Sequence, residues 1–334
     1  MKPLTRLSED ELIAVFFAPL AGPEGLRLCD DAALLRPPPS RELVLTKDLL
    51  VGGIHFFSDD PPSAIACKAL RVNLSDLAAK AAEPLGFLLG LALPVDWTAG
   101  WLAAFAEGLG QDAALYRCPL LGGDTVKTSG PLTISITAIG TVPNLKMIFR
   151  SGVLPGDVIY VTGTIGDAAL GLKLRLGATS DQDWIGALGE NDARFLLDRY
   201  LTPEPRLALR TPLAAYAHAA MDVSDGLAGD LAKMLRLAGV TVEIKLADIP
   251  LSGAASRALQ AAPRLITAIC GGGDDYEILC AAPLAGAAAF EAAALEAGIE
   301  LSRLGRAAFG VDPPGFIDAS GNFIRIAERS YQHF

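Results

Sequence analysis

Five times along this chain an apolar segment runs into an aspartate, in three cases directly beside Gly, Ser or Thr. The five stretches are CDDAALL (29–35), LTKDLLVGGIHF (45–56), NLSDLAA (73–79), GGDT (122–125) and MDVSDGL (221–227), and GGGDDYE (271–277) has a similar form. A carboxylate at the end of a buried element is unfavourable unless a cation or several hydrogen-bond donors compensate its charge. The recurrence therefore favours metal coordination at a site on which several aspartates converge.

Length and composition indicate a folded protein with two α/β domains of unequal size. The chain has 334 residues, of which 51% are hydrophobic and only 7% aromatic, and this length is more than one hydrophobic core usually serves. A net charge of -10 argues against binding to nucleic acid or to an anionic membrane. Five scattered cysteines without a C-x-x-C pair indicate thiols in a reducing compartment. Because no signal peptide or membrane span is recognisable, we expect a cytoplasmic protein.

The apolar patterns predict alternating strands and helices. Strands are expected at 42–48, 87–94 and 132–142, with a helix over 62–84, and the first strand is expected to deliver Asp48 to a loop. Downstream, DVIYVTGTIGDAALGLKLRLG and MDVSDGLAGDLAKMLRLAGVTVEI each indicate a strand, a glycine turn and a helix, and 266–282 indicates two strands around a glycine-acidic loop. The segment 142–157, rich in proline and glycine, is the expected domain boundary, which divides the chain into 1–146 and 147–334.

Several of the aspartates have an ordinary structural explanation when they are considered alone. Asp30 and Asp31 could form a turn or a helix cap, Asp48 could end a strand, and Asp76 could lie on a solvated helix face. In GGDT the two glycines let the backbone approach a ligand while Asp124 offers oxygen ligands.

The remaining candidates also keep two explanations. Asp222 and Asp225 stand at a predicted helix start, where one of them could serve as a cap and the other would still need a partner. His55 could be a structural imidazole or a substrate contact, and Arg150 a surface residue or a phosphate ligand. The chain lacks a P-loop, a strand-linked G-x-G-x-x-G, kinase H-R-D or D-F-G motifs, G-x-S-x-G and H-E-x-x-H. These absences leave open a carboxylate-based, metal-rich site for phosphoryl transfer without a covalent nucleophile.

Taken together and in order, the motifs resemble those of the thiamine-monophosphate kinase family. This family belongs to a superfamily with aminoimidazole ribonucleotide synthetase, selenophosphate synthetase and the hydrogenase maturation protein HypE. The stretches that carry the resemblance, over nearly the whole chain, are DDAALL, TKDLLVGGIHF, KALRVNLSDLAAKAAEP, LLGGDT, SGVLPGDVIYVTGTIGDAALGL, MDVSDGL, GGGDDYE and the final YQHF.

The resemblance implies an α/β, PurM-like fold in which an N-terminal mixed-sheet domain (1–146) binds ATP and magnesium and forms a homodimer. A C-terminal mixed-sheet α/β domain (147–334) would complete the nucleotide and substrate site, in the cleft between the two. The implied reaction is the ATP-dependent phosphorylation of thiamine monophosphate to thiamine diphosphate by direct in-line transfer with several Mg²⁺ ions. The metal positions would be Asp30, Thr46, Lys47, Asp48, Asp76, Asp124, Asp222 and Asp225, of which Asp30, Asp48, Asp76, Asp124 and Asp222 would be catalytic. ATP contacts would come from Gly123, Asp124, Arg150 and Ser224, and thiamine contacts from His55, Asp274 and Tyr331.

Some residues depart from the family pattern. Lys47 stands where a second threonine is common, and a cation beside Asp48 would compete with a metal, although a backbone carbonyl could still coordinate one. Cys29, Gly52, Asp274 and Gln332 also differ from the usual residues. The alternative enzyme is aminoimidazole ribonucleotide synthetase, and an alternative of another class is a nucleotide-binding regulatory protein without turnover.

Overall fold

A computed structural model describes residues 7–324 and residue 326. The chain divides into two compact units. Unit 1 comprises Met1–Leu77 and Glu83–Leu145, and unit 2 comprises Ala78–Ala82 and Lys146–Phe334. In the described part of the chain, the helices are too short or too polar to cross a membrane.

Unit 1 is built on a mixed sheet. Its strands β1 (Arg41–Val51), β2 (Glu83–Leu93), β3 (Leu120–Lys127) and β4 (Thr133–Pro143) pair in the order β1-β4-β2-β3, and only the β2–β3 pairing is parallel. Its helices are α1 (Glu9–Leu12), α2 (Pro62–Ala79) and α3 (Ala99–Leu115). Ser8 and Glu11 form a capping box at the start of α1, and the Thr98 side chain caps α3.

Two details of unit 1 differ from the sequence predictions. Asp48 lies inside β1 rather than in a loop after it, because β1 continues in register with β4 as far as Val51. The helix α2 ends at Ala79 rather than at residue 84, since Ala81 takes the left-handed conformation (φ 56°) and β2 begins at Glu83.

Side chains of β1 alternate between two environments. Val44 and Leu50 are buried, whereas Leu43, Leu45 and Leu49 on the other face are 42%, 62% and 54% exposed. This alternation follows from the two-residue repeat of a strand. The face that carries Val44 and Leu50 also carries Thr46, whose side chain contacts α2, so this is the face that packs against the helix.

Unit 2 contains an antiparallel sheet and a smaller mixed sheet. The strands β5 (Val158–Thr162), β6 (Ala219–Asp222), β9 (Ile278–Ala282) and β10 (Leu301–Arg306) pair in the order β10-β5-β9-β6. The strands β8 (Glu243–Lys245), β12 (Gly315–Ile317) and β13 (Phe323–Ile324) form the mixed sheet, and β7 (Val240–Thr241) pairs with β11 (Ala308–Phe309).

Helices surround these sheets and bury their apolar faces. They are α4 (Asp167–Leu176), α5 (Gln182–Ile185), α6 (Glu190–Leu201), α7 (Arg210–Tyr216), α8 (Leu227–Ala238), α9 (Gly253–Ala261), α10 (Ile266–Gly271) and α11 (Ala287–Glu296). The core includes Ile159, Leu170, Leu231 and Leu279, all fully buried. Both predicted strand–turn–helix segments, β5–α4 and β6–α8, are confirmed.

The predicted strand at the start of 266–282 is wrong. Residues Ile266–Gly271 form α10, and four consecutive residues from Ala268 to Gly271 are buried. A short apolar run with two isoleucines does not distinguish a buried strand from a buried helix, because neither leaves a periodic polar face. The second strand of the pair, β9, is confirmed.

Candidate active site

Three of the predicted residues of unit 1 meet where β1 packs against α2. The Thr46 hydroxyl donates a short hydrogen bond to Asp76 Oδ2, and the Asp48 backbone N–H donates to Asn73 Oδ1 at 3.2 Å. Thr46 and Asp48 are two residues apart on β1 and therefore share a face, while Asn73 and Asp76 lie about one helical turn apart on α2. The strand and the helix thus bring two carboxylates and a hydroxyl together.

The electrostatics of this cluster are unfavourable without a cation. Burial raises the pKa of Asp48 from 3.8 to about 7, and the negative charge of Asp76 contributes to the same rise. Two carboxylates in a partly dehydrated site repel each other, and a divalent cation relieves that repulsion. The cluster therefore has the oxygen donors and the negative charge that a hard cation requires.

Lys47 projects away from this cluster. Its ammonium group donates a short hydrogen bond to Ser135 Oγ on β4, on the face of the sheet that does not pack against α2. Successive residues of a strand point to opposite faces, so the Lys47 side chain does not lie beside the Asp48 carboxylate. The Lys47 ammonium group therefore does not compete with a metal ion for the Asp48 carboxylate.

Other predicted residues of unit 1 line a separate cavity of about 830 Å³. Among its lining residues are Asp30, Lys47, Gly123 and Asp124. Gly123 lies in β3, and a side chain there would collide with the backbone of β2, because a Cβ atom would lie 1.9 Å from the Leu89 carbonyl oxygen. The close pairing of β2 and β3 thus accounts for this glycine.

Asp30 and His55 have local partners. The Asp30 carboxylate accepts a hydrogen bond of 2.8 Å from the backbone N–H of Asp31, so Asp30 has a local donor in an exposed bend of the chain. His55 Nδ1 accepts the backbone N–H of Val51 at 3.0 Å, just after β1. That bond fixes the imidazole tautomer with its proton on Nε2.

In unit 2, the β6–α8 turn carries Asp222, Ser224 and Asp225. Asp222 is a buried residue at the end of β6. Neither acid caps α8, whose N-cap is Gly226 without a side-chain hydrogen bond. Instead, Asp230 in the first turn of α8 accepts the backbone N–H groups of Ser224 and Asp225 at 3.0 and 2.9 Å.

Lys233 pairs with two acids of this region. Its ammonium group donates a short hydrogen bond to Asp225 and another of 3.0 Å to Asp230. Burial raises the pKa of Asp230, whereas Lys233 acts to lower it. Asp225 therefore already has a cationic partner.

The glycine-acidic segment 272–277, here called the acidic loop, lies against the same turn. The backbone N–H groups of Asp274 and Tyr276 donate to the carbonyl oxygens of Ser224 and Val223, each at 2.8 Å. Asp274 and Ser224, which the sequence places fifty residues apart, are thus neighbours. Arg150 lies in an exposed turn of unit 2, and Tyr331 and Gln332 lie outside the described residues.

Sequence reasoning missed two residues of this arrangement. Lys233 and Asp230 stand within the MDVSDGLAGDLAKM stretch, and their spacing from Asp225 could have indicated a contact across the first turns of α8. In the portion of the chain that the structure describes, His, Cys, Asp and Glu side chains do not form a group of three or more that could hold a metal ion.

Comparison with known proteins identifies the family. Residues 29–142 match the family described as AIR synthase related protein, N-terminal domain, and residues 155–310 match the corresponding C-terminal domain. Thiamine-monophosphate kinase of Caulobacter vibrioides is 43% identical over 89% of this chain and 83% of its own length. That of Escherichia coli K12 is 37% identical over 92% of both chains. The chain belongs to the thiamine-monophosphate kinase family.

Solved structures agree with this family assignment. A thiamine-monophosphate kinase structure from Stenotrophomonas maltophilia K279a has a TM-score of 0.78 and 38% identity, covering 86% of this chain and 89% of that one. A structure described as AaThiL complexed with AMPPCP and TMP has a TM-score of 0.75 and 28% identity, covering 98% and 99%. The α/β, PurM-like fold expected for the family is confirmed.

Proposed function

We propose that this protein transfers a phosphoryl group from ATP to thiamine monophosphate and so forms thiamine diphosphate. The observation that carries this conclusion is the similarity to thiamine-monophosphate kinases over about nine-tenths of the chain. The structure described with AMPPCP and TMP gives a family member with an ATP analogue and this substrate. Aminoimidazole ribonucleotide synthetase activity is not favoured, because these full-length relatives are thiamine-monophosphate kinases.

The Thr46, Asp48 and Asp76 cluster fits a magnesium ion. Mg²⁺ prefers oxygen ligands, and it is commonly bound through one or two carboxylates together with substrate phosphates and water. Asp48 and Asp76 supply two carboxylates that repel each other, and the Thr46 hydroxyl contacts Asp76. This cluster offers that donor set. When bound, magnesium would neutralise the charge of the transferring phosphoryl group. We extend the proposal to further Mg²⁺ ions at Asp30, Asp124 and Asp222, and at Asp225, where a metal ion would have to replace the Lys233 ammonium group.

The other candidate residues bind and orient the two substrates. Arg150 supplies a planar fork of donors for phosphate oxygens, and Gly123, Asp124 and Ser224 contact the nucleotide. His55, Asp274 and Tyr331 contact the thiamine moiety. These groups hold the acceptor phosphate in line with the donor, and charge neutralisation and positioning then supply most of the rate enhancement.

We also propose that residues 1–146 form the ATP, magnesium and dimerisation domain, and that residues 147–334 complete the nucleotide and substrate site. Leu43, Leu45 and Leu49 support the dimer, because they leave an apolar face of unit 1 exposed on β1, a strand at the edge of its sheet. A second copy of the chain would cover this face. A cytoplasmic location fits the five cysteines, none of which forms a disulfide.

The activity is tested with purified protein, ATP, thiamine monophosphate and magnesium, by following ADP and thiamine diphosphate together. We expect equal amounts of both products, and no thiamine diphosphate when EDTA replaces magnesium. A folded, magnesium-supplied protein that forms neither product would refute the kinase proposal. Turnover of formylglycinamidine ribonucleotide in a parallel assay would establish the alternative enzyme.

The dimer is tested by light scattering after size-exclusion chromatography. We expect the parent protein to elute with twice the chain mass, and Leu45→Glu to elute as a monomer because a carboxylate replaces an apolar contact. Leu295→Glu is the matched control, since Leu295 is similarly exposed, at 66%, on α11 of unit 2. A monomeric parent would contradict the dimer without affecting the kinase proposal.

A further inference from the structure

Two carboxylates of the acidic loop are buried and have no part in the proposed reaction. Asp275 is 1% exposed and Glu277 is fully buried, and they flank Tyr276 directly after Asp274. Acidic side chains are almost never buried unless their charge is paired or hydrogen-bonded. The contacts of these two residues therefore show what the burial achieves.

Asp275 is bound at the N-terminus of α4. Its Oδ2 accepts the backbone N–H of Gly166 at 2.7 Å, and its Oδ1 accepts that of Ala168 at 3.2 Å. The first N–H groups of a helix have no partner within the helix and carry partial positive charge, so a carboxylate satisfies both requirements. Position 166 favours glycine, because it has φ 86° and a Cβ atom there would lie 2.7 Å from the Ile269 side chain.

Glu277 is bound by two arginines and a threonine. Arg199 Nη2 donates to Oε1 at 2.8 Å, Arg206 Nε donates to Oε2 at 2.7 Å, and the Thr162 hydroxyl donates to Oε2 at 2.6 Å. Arg199 Nη2 also donates to the backbone oxygen of Asp275 at 3.4 Å. Arg199 thus links the two buried acids.

Between α4 and the arginines, the loop backbone is held in an unfavourable conformation. Asp274 and Tyr276 have φ values of 70° and 51°, in the left-handed region that non-glycine residues rarely adopt. Such residues persist only where the surroundings fix the backbone. Here the Asp275 and Glu277 contacts do so, and the loop N–H groups pair with the carbonyls of the β6–α8 turn.

We propose that Asp275 and Glu277 are positioning residues, which fix the backbone around Asp274 so that its carboxylate meets the thiamine moiety in one orientation. Neither acid touches a substrate, and both act through Asp274. The kinetic part of this inference rests on the proposed function, in which Asp274 contacts thiamine.

The kinetic test is a double-mutant cycle of Asp275→Asn and Asp274→Asn. In Asp275→Asn the amide keeps the shape of the carboxylate but presents an NH₂ group to one of the two helix N–H donors, so one of the two hydrogen bonds is lost. We expect the KM for thiamine monophosphate to rise about tenfold, about what the loss of one hydrogen bond to a charged group would cause, with a smaller change in kcat. In the Asp274→Asn background, Asp275→Asn should add no further increase, because the group it positions is already gone.

Additive effects of the two substitutions would overturn the inference, since they would show that Asp275 acts independently of Asp274. Asp192→Asn is the matched control, because Asp192 of the same unit forms a more exposed ion pair with Arg257 and does not contact the loop. It should leave both kinetic constants unchanged. Circular dichroism at the assay temperature establishes that each variant is folded.

Hydrogen exchange of the substrate-free protein separates this inference from the proposed function. In Asp275→Asn we expect faster exchange at the amides of Asp274 and Tyr276, with unchanged exchange in the helix α9. Unchanged protection of these two amides would overturn the inference whatever the enzyme assay shows. If instead the amides exchange faster while the parent protein fails to phosphorylate thiamine monophosphate, the proposed function fails and the anchoring of the loop stands.

Discussion

Replacing Asp76 by asparagine should inactivate the enzyme and at the same time stabilise the metal-free protein. The difference between an Asp48 pKa of 3.8 and one of about 7 corresponds to about 4 kcal/mol. Burial accounts for the larger share of this cost of ionising Asp48, and the Asp76 charge accounts for the smaller share. Removal of the Asp76 charge should therefore raise the unfolding free energy by up to about 2 kcal/mol at pH 8. The carbonyl oxygen of the new amide can still accept the Thr46 hydroxyl proton, so the packing of β1 on α2 is retained.

The gain should depend on pH in a definite direction. The folded protein holds the Asp48 proton more tightly than the unfolded chain does. Asp48 therefore stabilises the folded protein at low pH, and this stabilisation is lost as the pH rises from about 4 to about 7. At pH 5 Asp48 is protonated in the folded protein and does not repel Asp76. The advantage of Asp76→Asn should therefore be near zero at pH 5 and largest at pH 8.

Urea unfolding in EDTA at pH 5 and pH 8 measures this difference, and the turnover of thiamine monophosphate with magnesium measures the loss of activity. We expect kcat to fall by about 100-fold or more, as is usual when a residue of a charge-stabilising site is removed. Asp96→Asn, at an exposed position of the loop between β2 and α3, should change neither quantity. Near-normal turnover would refute the metal role of Asp76, and a variant less stable than the parent at pH 8 would refute the like-charge argument.

Three further outcomes follow from the packing. Glu277→Gln removes a fully buried carboxylate from two partly buried guanidinium groups, which keep only the exposed Glu204 as an acidic partner; urea unfolding should show a loss of about 3 kcal/mol, whereas a loss below about 1 kcal/mol would contradict the pairing. Gly171→Ala should lower the unfolding free energy by about 1–3 kcal/mol, because its Cβ would lie 2.1 Å from the Leu196 carbonyl oxygen. Gly100→Ala, with open space around it in α3, should instead raise that free energy by up to about 1 kcal/mol, and equal effects would refute the contrast. A chromogenic disulfide reagent should label one thiol rapidly, that of exposed Cys29. The other four cysteines are buried, and burial raises the pKa of Cys67, Cys118 and Cys270 to about 12 and raises that of Cys280 as well, so a second fast thiol would contradict this.

Periodic patterns predicted most elements of the fold but misjudged some of their limits and one element type. The strand that carries Asp48 and the β6–α8 unit follow from local apolar spacing, and the structure confirms them. The end of the first strand and the helix α10 do not follow from that spacing. Pairing with β4 keeps Asp48 inside β1, and burial by surrounding elements selects a helix at 266–271, so both outcomes depend on residues far away in the chain.

The sequence by itself indicated the class of protein, because its acidic motifs, in their order along the chain, resemble those of the thiamine-monophosphate kinase family before any contact is known. It could not decide which acids meet. Asp48 and Asp76 come together through a strand and a helix that pack on each other, Asp225 is paired with Lys233, and Asp275 and Glu277 are bound to α4 and to two arginines. Side-chain partners of this kind are set by packing between elements, and only the tertiary structure brings residues that are distant in sequence within hydrogen-bond range.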